Sequence, residues 1–266
     1  MTNGIVDAGL TYASAAAFHT PRRLALSVEG LLDASPTAQE ERKGPKVGAP
    51  DQAIQGFLRG AGLMVDDLEV RDDKKGQVYF ARISKPGRLA TEIVAEVLEA
   101  TIRNFPWPKS MRWGTGNLRW VRPLQSILCL LSNEVETQVV PVEIDGISSG
   151  NITQGHRFMA EGVFAVSDFS DYEAKLKRAK VILRCDERSA AIWQEATNLA
   201  FALGQDLVED ADLLAEVSGL VEWPVVLMGQ IDESFLDLPP EVLKTSMKEH
   251  QKFFSVSNPK TGRIER

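Results

Sequence analysis

Apolar residues in this chain repeat with two different periods, and the two alternate without a regular beat. Ile93, Val97, Leu98 and Ile102 recur at helical spacing within Leu89 to Asn104, directly after a strand-like run from Val78 to Ser84 and a Pro86-Gly87 turn. A doubly wound parallel sheet would need strand and helix to succeed each other in units of about 30 residues, and no such rhythm is present. The pattern predicts an α+β fold, with a mixed, largely antiparallel sheet and packed helices.

Other elements follow from the same reasoning. Arg22 to Leu32 reads as a strand, Lys43 to Pro50 as a Gly/Pro-rich loop, and Asp51 to Gly62 as a short helix ending at glycine. Pro106 and Pro108 stop the helix before them. Gln125 to Leu131 and Gln138 to Ile144 read as neighbouring strands joined through Ser132-Asn133, and Gly162 to Val166 as another. Ser167 or Asp168 is placed to cap a helix reaching Lys180, Val181 to Leu183 reads as a strand, and Asp186 to Leu203 is the clearest helix, closed by Gly204. An acidic helix follows, then a strand over Val221 to Met228, a helix opened by Pro239-Pro240, and a strand over Phe253 to Ser257.

At 266 residues the chain can bury a substantial core. No apolar run approaches the roughly 20 residues that span a bilayer, and the first residues lack a basic segment followed by an apolar one, so membrane and secretory readings fall away. Cys129 and Cys185 stand alone, without the spacing of a zinc site or disulfide framework. The net charge of −7 argues against a protein that binds nucleic acid over its whole surface. A local exception lies between Ala100 and Asn133, where Asp and Glu are absent while Lys109, Arg112, Arg119 and Arg122 interleave with Phe105, Trp107, Trp113 and Trp120.

Common catalytic signatures are missing: there is no phosphate-binding GxxxxGK[ST], no HExxH, no GxSxG and no EF-hand loop. His19, His156 and His250 each lack a second His or Cys at metal-ligand spacing. Lys244-Thr-Ser-Met-Lys248 has the look of a phosphate-binding lysine loop, but without a matching histidine pair it reads as the solvated face of a helix. No catalytic residue and no metal ligand is assigned.

Seven segments, in order and spread across nearly the whole chain, carry a family resemblance: Thr20-Pro-Arg-Arg-Leu-Ala-Leu26, Glu41-Arg-Lys-Gly-Pro45, Lys109-Ser-Met-Arg-Trp-Gly114, Trp120-Val-Arg-Pro123, Gly155-His-Arg-Phe158, Leu220-Val-Glu-Trp-Pro-Val225 and Met247-Lys-Glu-His-Gln-Lys-Phe253. Together they resemble the beta subunit of bacterial heterotetrameric glycyl-tRNA synthetase, amino-terminal part. The resemblance implies a cytoplasmic translation enzyme, glycine–tRNA ligase, in which the alpha subunit holds the aminoacylation site and uses ATP and Mg2+, with no cofactor in this chain. It implies the alpha subunit and tRNA(Gly) as partners, and a non-catalytic role in tRNA handling and subunit assembly. It also implies a fold similar to the B3/B4-type domain of the phenylalanyl-tRNA synthetase beta subunit, with HD-like and anticodon-binding domains later in the family's chain. On that basis residues 1–50 are expected to form a partial strand and loop region and 51–266 an α+β B3/B4-like region, with one continuous domain including 20–50 as the alternative. The family's usual opening strand with Gly-Thr-Glu-Glu-Leu-Pro has no match, which predicts an unpaired sheet edge near residues 1–19.

An RNA-facing surface needs cations for phosphate and planar groups for bases, and arginine supplies both. Lys109, Arg112, Arg119 and Arg122 are therefore candidate tRNA or subunit contacts, with Trp113 and Trp120 expected in the core. His156 and Arg157 form a second candidate, set against a turn held by a buried ion pair. Lys248, His250 and Lys252 form a third, set against simple complementation of a helix end. Two other readings stand beside tRNA handling: a purely structural scaffold for the alpha subunit, and an editing-like hydrolase that clears mischarged tRNA.

Overall fold

A computed structural model describes residues 1–73 and 76–264. In chain order, helix α1 (Thr2–Asp7) precedes strands β1 (Ser14–Thr20), β2 (Arg23–Glu29) and β3 (Ala38–Lys46). Then come α2 (Asp51–Ala61), β4 (Leu68–Asp73), β5 (Gly76–Lys85) and α3 (Ala90–Arg103). The remainder runs β6 (Ile127–Leu128), β7 (Leu130–Ser132), β8 (Thr137–Val139), β9 (Glu143–Ile144), β10 (Ile147–Gly150), β11 (Ile152–Gln154), β12 (Val163–Ala165), α4 (Phe169–Arg178), α5 (Cys185–Ala202), β13 (Asp206–Leu207), α6 (Ala211–Leu220), α7 (Pro240–Ser246) and β14 (Val256–Ser257). A π-helical turn, Met247–Gln251, extends α7.

Helices and strands are mixed, as the two periods predict, but no one sheet hosts them. Among the described residues the strands form six small sheets of two or three strands, largely antiparallel, with β6 and β10 parallel. The chain divides into two compact units: Met1–Ala13 with Glu29–Pro123, and Ser14–Val28 with Leu124–Arg266.

In the first unit, α1 packs on α3, and Ile5, Ile93, Val94 and Ile102 are buried there. The sheet β3–β5–β4 covers Val78 and Ala81. Helix α2 ends where Gly62 turns left-handed at φ 66°, a conformation that costs a residue with a Cβ. The loop expected over Lys43 to Pro50 is corrected: its first half belongs to β3, whose register against β5 shifts between Lys43 and Lys46. This strand is held by charge. Glu40 faces Lys85, Glu41 faces Arg71 and Arg82, and Lys43 pairs with Asp73, so apolar alternation does not reveal it.

In the second unit, Leu176, Val181 and Leu183 form a core against Phe18, Phe164, Phe169 and Tyr172. Asp168 caps α4 by accepting from the Asp171 N–H, and Asp210 caps α6 by accepting from that of Leu213. Val181 to Leu183 is buried but is not a strand. Its hydrogen bonds go elsewhere: the Ile182 N–H donates to the Glu222 carbonyl at 2.8 Å, and the carbonyls of Ile182 and Leu183 accept from the Arg188 guanidinium. The strand expected over Val221 to Met228 is also absent. Pro224 cannot donate to a ladder, and Leu227 is 84% exposed. The strand expected over Phe253 to Ser257 shortens to β14, paired with β13.

Candidate nucleic-acid interface

The basic and aromatic segment begins where α3 stops. The Asn104 side-chain amide donates to the Ala100 carbonyl at 2.8 Å, and the prolines that follow cannot continue a helix. Phe105 and Trp107 then stack with ring centroids 4.5 Å apart, and Trp120 meets both edge-on at 5.2 and 5.0 Å. An antiparallel bridge closes the segment into a loop: Met111 N–H donates to the Trp120 carbonyl at 2.8 Å and Trp120 N–H to that of Met111 at 3.2 Å. Gly114 turns the chain at φ 55°, and buried Leu118 anchors it.

Arg112 and Arg119 stand one residue inside the bridge, one on each arm. Lys109 and Arg122 stand two residues outside it. All four are exposed, and among the described residues none has a carboxylate partner. Elsewhere in this unit Lys43, Arg71, Arg82, Lys85, Arg88 and Arg103 all face acids. Trp113 and Trp120, expected in the core, are half-buried. Trp120 packs on Phe105 and Trp107 at the base of the loop, and Trp113 lies between its two arms in sequence.

In the second unit, His156 and Arg157 lie on a tight loop after β11. His156 N–H donates to the Ala179 carbonyl at 2.8 Å, and the Ala160 N–H returns to the His156 carbonyl at 3.1 Å. A Cβ on Gly155 would lie 2.4 Å from the Ala179 Cβ, so only glycine fits. Arg23 holds the loop from behind: its Nη2 donates to the carbonyls of Gln154 at 2.7 Å and Gly155 at 3.1 Å, while Nη1 pairs with Glu222. Thr20 Oγ1 donates to the same Glu222 oxygen at 2.6 Å. Tyr172 packs beside this pair; burial pushes its phenol up, and Arg23 opposes that rise.

Lys248, His250 and Lys252 lie on the π turn and just past it. Lys248 binds Asp210 at 2.7 Å, which raises the ammonium and lowers the carboxyl; Lys252 binds Glu216 at 3.0 Å. His250 is exposed. Both lysines are thus neutralised by helix α6 and its cap.

Four residues that matter here were not singled out as site residues by sequence reasoning: Arg23, Glu222, Arg188 and Phe158. Arg23, Glu222 and Phe158 stood inside segments that carry the resemblance. Arg188 shares a helix row with buried Ile192, Ala196 and Ala200, and an arginine on an apolar row is the signal that would have found it. Among the described residues, no three His, Cys, Asp or Glu side chains gather as a metal site, and no helix is long and apolar enough to cross a membrane.

The profile of the glycyl-tRNA synthetase beta subunit family matches residues 1–266. The chain belongs to that family. It is 73% identical over 266 residues to the glycine–tRNA ligase beta subunit of Ruegeria sp. (strain TM1040), covering 100% of this chain and 39% of the relative. It is 68% identical over 265 residues to that of Paracoccus denitrificans (strain Pd 1222), again 100% of this chain and 39% of the relative. With that of Phenylobacterium zucineum (strain HLK1) the identity is 53% over 257 residues, or 96% of this chain and 37% of the relative. The chain therefore spans about two-fifths of the length of these glycyl-tRNA synthetase beta subunits.

Proposed function

We propose that this chain serves glycine–tRNA ligase as a non-catalytic tRNA-handling and assembly part of the beta subunit, with the bridged loop around Arg112 and Arg119 as an RNA contact. In this reading the alpha subunit carries the ATP- and Mg2+-dependent aminoacylation of tRNA(Gly) in the cytoplasm, and likeness to the B3/B4-type domain belongs to the same proposal. The observation that carries it is the set of four exposed, unneutralised cations in a chain whose net charge is −7. Such cations release counterions from phosphate, and their half-buried tryptophan neighbours offer flat surface for bases.

The test is an anisotropy titration of labelled glycine tRNA and an unrelated tRNA at low and near-physiological salt. The Arg112→Ala/Arg119→Ala pair is expected to weaken binding and to reduce the salt slope by about one for each phosphate that is no longer neutralised. Unchanged affinity and slope would overturn the assignment of these residues. A second reading, a scaffold for the alpha subunit, is favoured by a separate observation: Val225, Leu227, Phe235 and Val242 are exposed apolar side chains within one stretch of the second unit. Co-purification with alpha, abolished by replacing Leu227 and Phe235 with Ser, supports that reading.

A further inference from the structure

We propose that the loop Gly155–Ala160 is a second RNA contact, in which Phe158 stacks on an unpaired base and the surrounding cations hold the adjoining phosphates. This rests on the reading of the chain as a tRNA-handling part, and extends it to a residue and a chemistry not otherwise assigned.

Phe158 is 83% exposed, although a phenylalanine gains most by being buried. It is not a loose side chain on a loose loop. Its own N–H donates to His156 Nδ1 at 3.3 Å, and the backbone around it is tied to Ala179 and, through Gln154 and Gly155, to the Arg23 guanidinium. Arg23 is fixed in turn by Glu222, which is 3% exposed and also takes the Thr20 hydroxyl. A buried ion pair thus presents an aromatic ring to solvent on a rigid support, so little conformational entropy is lost when a ligand covers it.

The surroundings select the ligand. The Arg157 guanidinium lies 5.3 Å over the Phe158 ring, and the His156 ring centroid is 6.2 Å away, so three flat side chains share the tip. His156 Nδ1 accepts from the Phe158 N–H, which leaves Nε2 as the ring's donor. Arg178 and Lys180 flank Ala179, which the loop touches, and Arg22 precedes Arg23. Arg22 and Arg178 are exposed, and neither has an acid partner among the described residues; Lys180 lies 4.4 Å over the Trp223 ring. Glu161 is the acid next to the loop in sequence. An exposed aromatic ring with a planar cation over it, on a loop whose backbone is tied to residues flanked by cations without acid partners, matches the stacking platform and basic track of single-stranded nucleic-acid sites. An apolar protein surface would leave those cations unanswered.

The experiment titrates the 266-residue chain, and its Phe158→Ala and Phe158→Trp variants, against labelled glycine tRNA, with a thermal melt of each as a folding control. Removing a stacked base costs about 1–3 kcal/mol, so Phe158→Ala is expected to weaken binding by about 5- to 150-fold without changing the salt slope. Phe158→Trp should keep wild-type affinity, and Arg157→Ala should lower the slope. Ultraviolet cross-linking with peptide mapping should place RNA on the segment containing Phe158. Unchanged affinity for Phe158→Ala, with weaker binding for Arg112→Ala/Arg119→Ala, overturns the loop contact alone; unchanged binding for both overturns both. Failure of Phe158→Ala to capture the alpha subunit, with RNA affinity intact, makes the tip a protein contact and overturns the proposal.

Discussion

Arg188 is the most buried charged group in the described chain, at 0% exposure, and no carboxylate faces it. Its guanidinium donates to four carbonyls: Ser218 at 2.8 Å, Ile182 at 2.8 Å, Leu183 at 2.9 Å and His19 at 3.0 Å. Those acceptors belong to the end of β1, the extended stretch before α5, and α6, so one side chain ties together three segments that share no ladder. Replacing Arg188 by Met leaves three buried acceptors and one half-buried one without a donor. At about 1 kcal/mol each, the low end for an unsatisfied buried group, the destabilisation is roughly 4 kcal/mol. Removing a buried charge offsets part of this, which brings the net to about 3 kcal/mol. At about 2–4 °C per kcal/mol for a chain of this size, the melting temperature should fall by about 6–12 °C. Lysine keeps a charge but has no planar fork, and serves fewer of the carbonyls; Arg188→Lys should fall between wild type and Met. Urea unfolding followed by tryptophan fluorescence, with Trp193 and Trp223 reporting from this unit, measures the order. A methionine variant within about 1 kcal/mol of wild type would show that water satisfies these carbonyls and that the fork does not hold the unit together.

Gly155→Ala forces a methyl group against Ala179 and should cost about 1–3 kcal/mol in the same assay, the usual range for overpacking; a neutral effect would mean that the loop moves freely from its support. Glu41 is held down at about 2 by hydrogen bonds from Arg71 and then Arg82. A carboxylate depressed in this way stabilises the folded state above its ordinary value near 4.5, and the contribution disappears as pH falls from there toward about 2. Carboxyl-carbon NMR should show that low midpoint, and Arg71→Ala should move it upward. Burial pushes the Cys129 thiol up to about 11, so a thiol reagent at neutral pH should leave it unmodified until the chain is unfolded; rapid labelling in the native state would contradict its place in the core.

How far the fold could be read in advance depends on what holds each segment. Helices α2, α3 and α5 lie close to the boundaries that apolar spacing, glycine and proline predict, because these signals act within a few residues. Strand β3 was hidden because its ladder is supported by cross-strand ion pairs that only the pairing with β5 and β4 creates. Val181 to Leu183 has strand composition, yet the donor for its carbonyls is an arginine side chain from the next helix. The interleaving of the two units, with residues 14–28 inserted in the order of the first, has no compositional mark at all. Likewise the acid-free stretch announced a basic surface, but the bridge that sets Arg112 and Arg119 on facing arms comes from backbone pairing of Met111 with Trp120.

Three of the segments that carry the family resemblance, around Thr20, Gly155 and Leu220, converge on one buried cluster built from Thr20, Arg23, Glu222 and the carbonyls of Gln154 and Gly155. Residue types that look like contact chemistry in a linear motif therefore divide into two groups. Arg23 and Glu222 are inside and fix the path of the loop, whereas Arg157 and Phe158 are outside and free to meet a ligand. The same division separates Lys248 and Lys252, whose charges are answered by Asp210 and Glu216, from Arg112 and Arg119, whose charges are not. In a chain with net charge −7, phosphate affinity depends less on how many cations a segment contains than on how many the fold leaves unanswered. By that criterion replacing Arg119 should weaken RNA binding more than replacing Lys252, although both stand in segments of equal basic appearance.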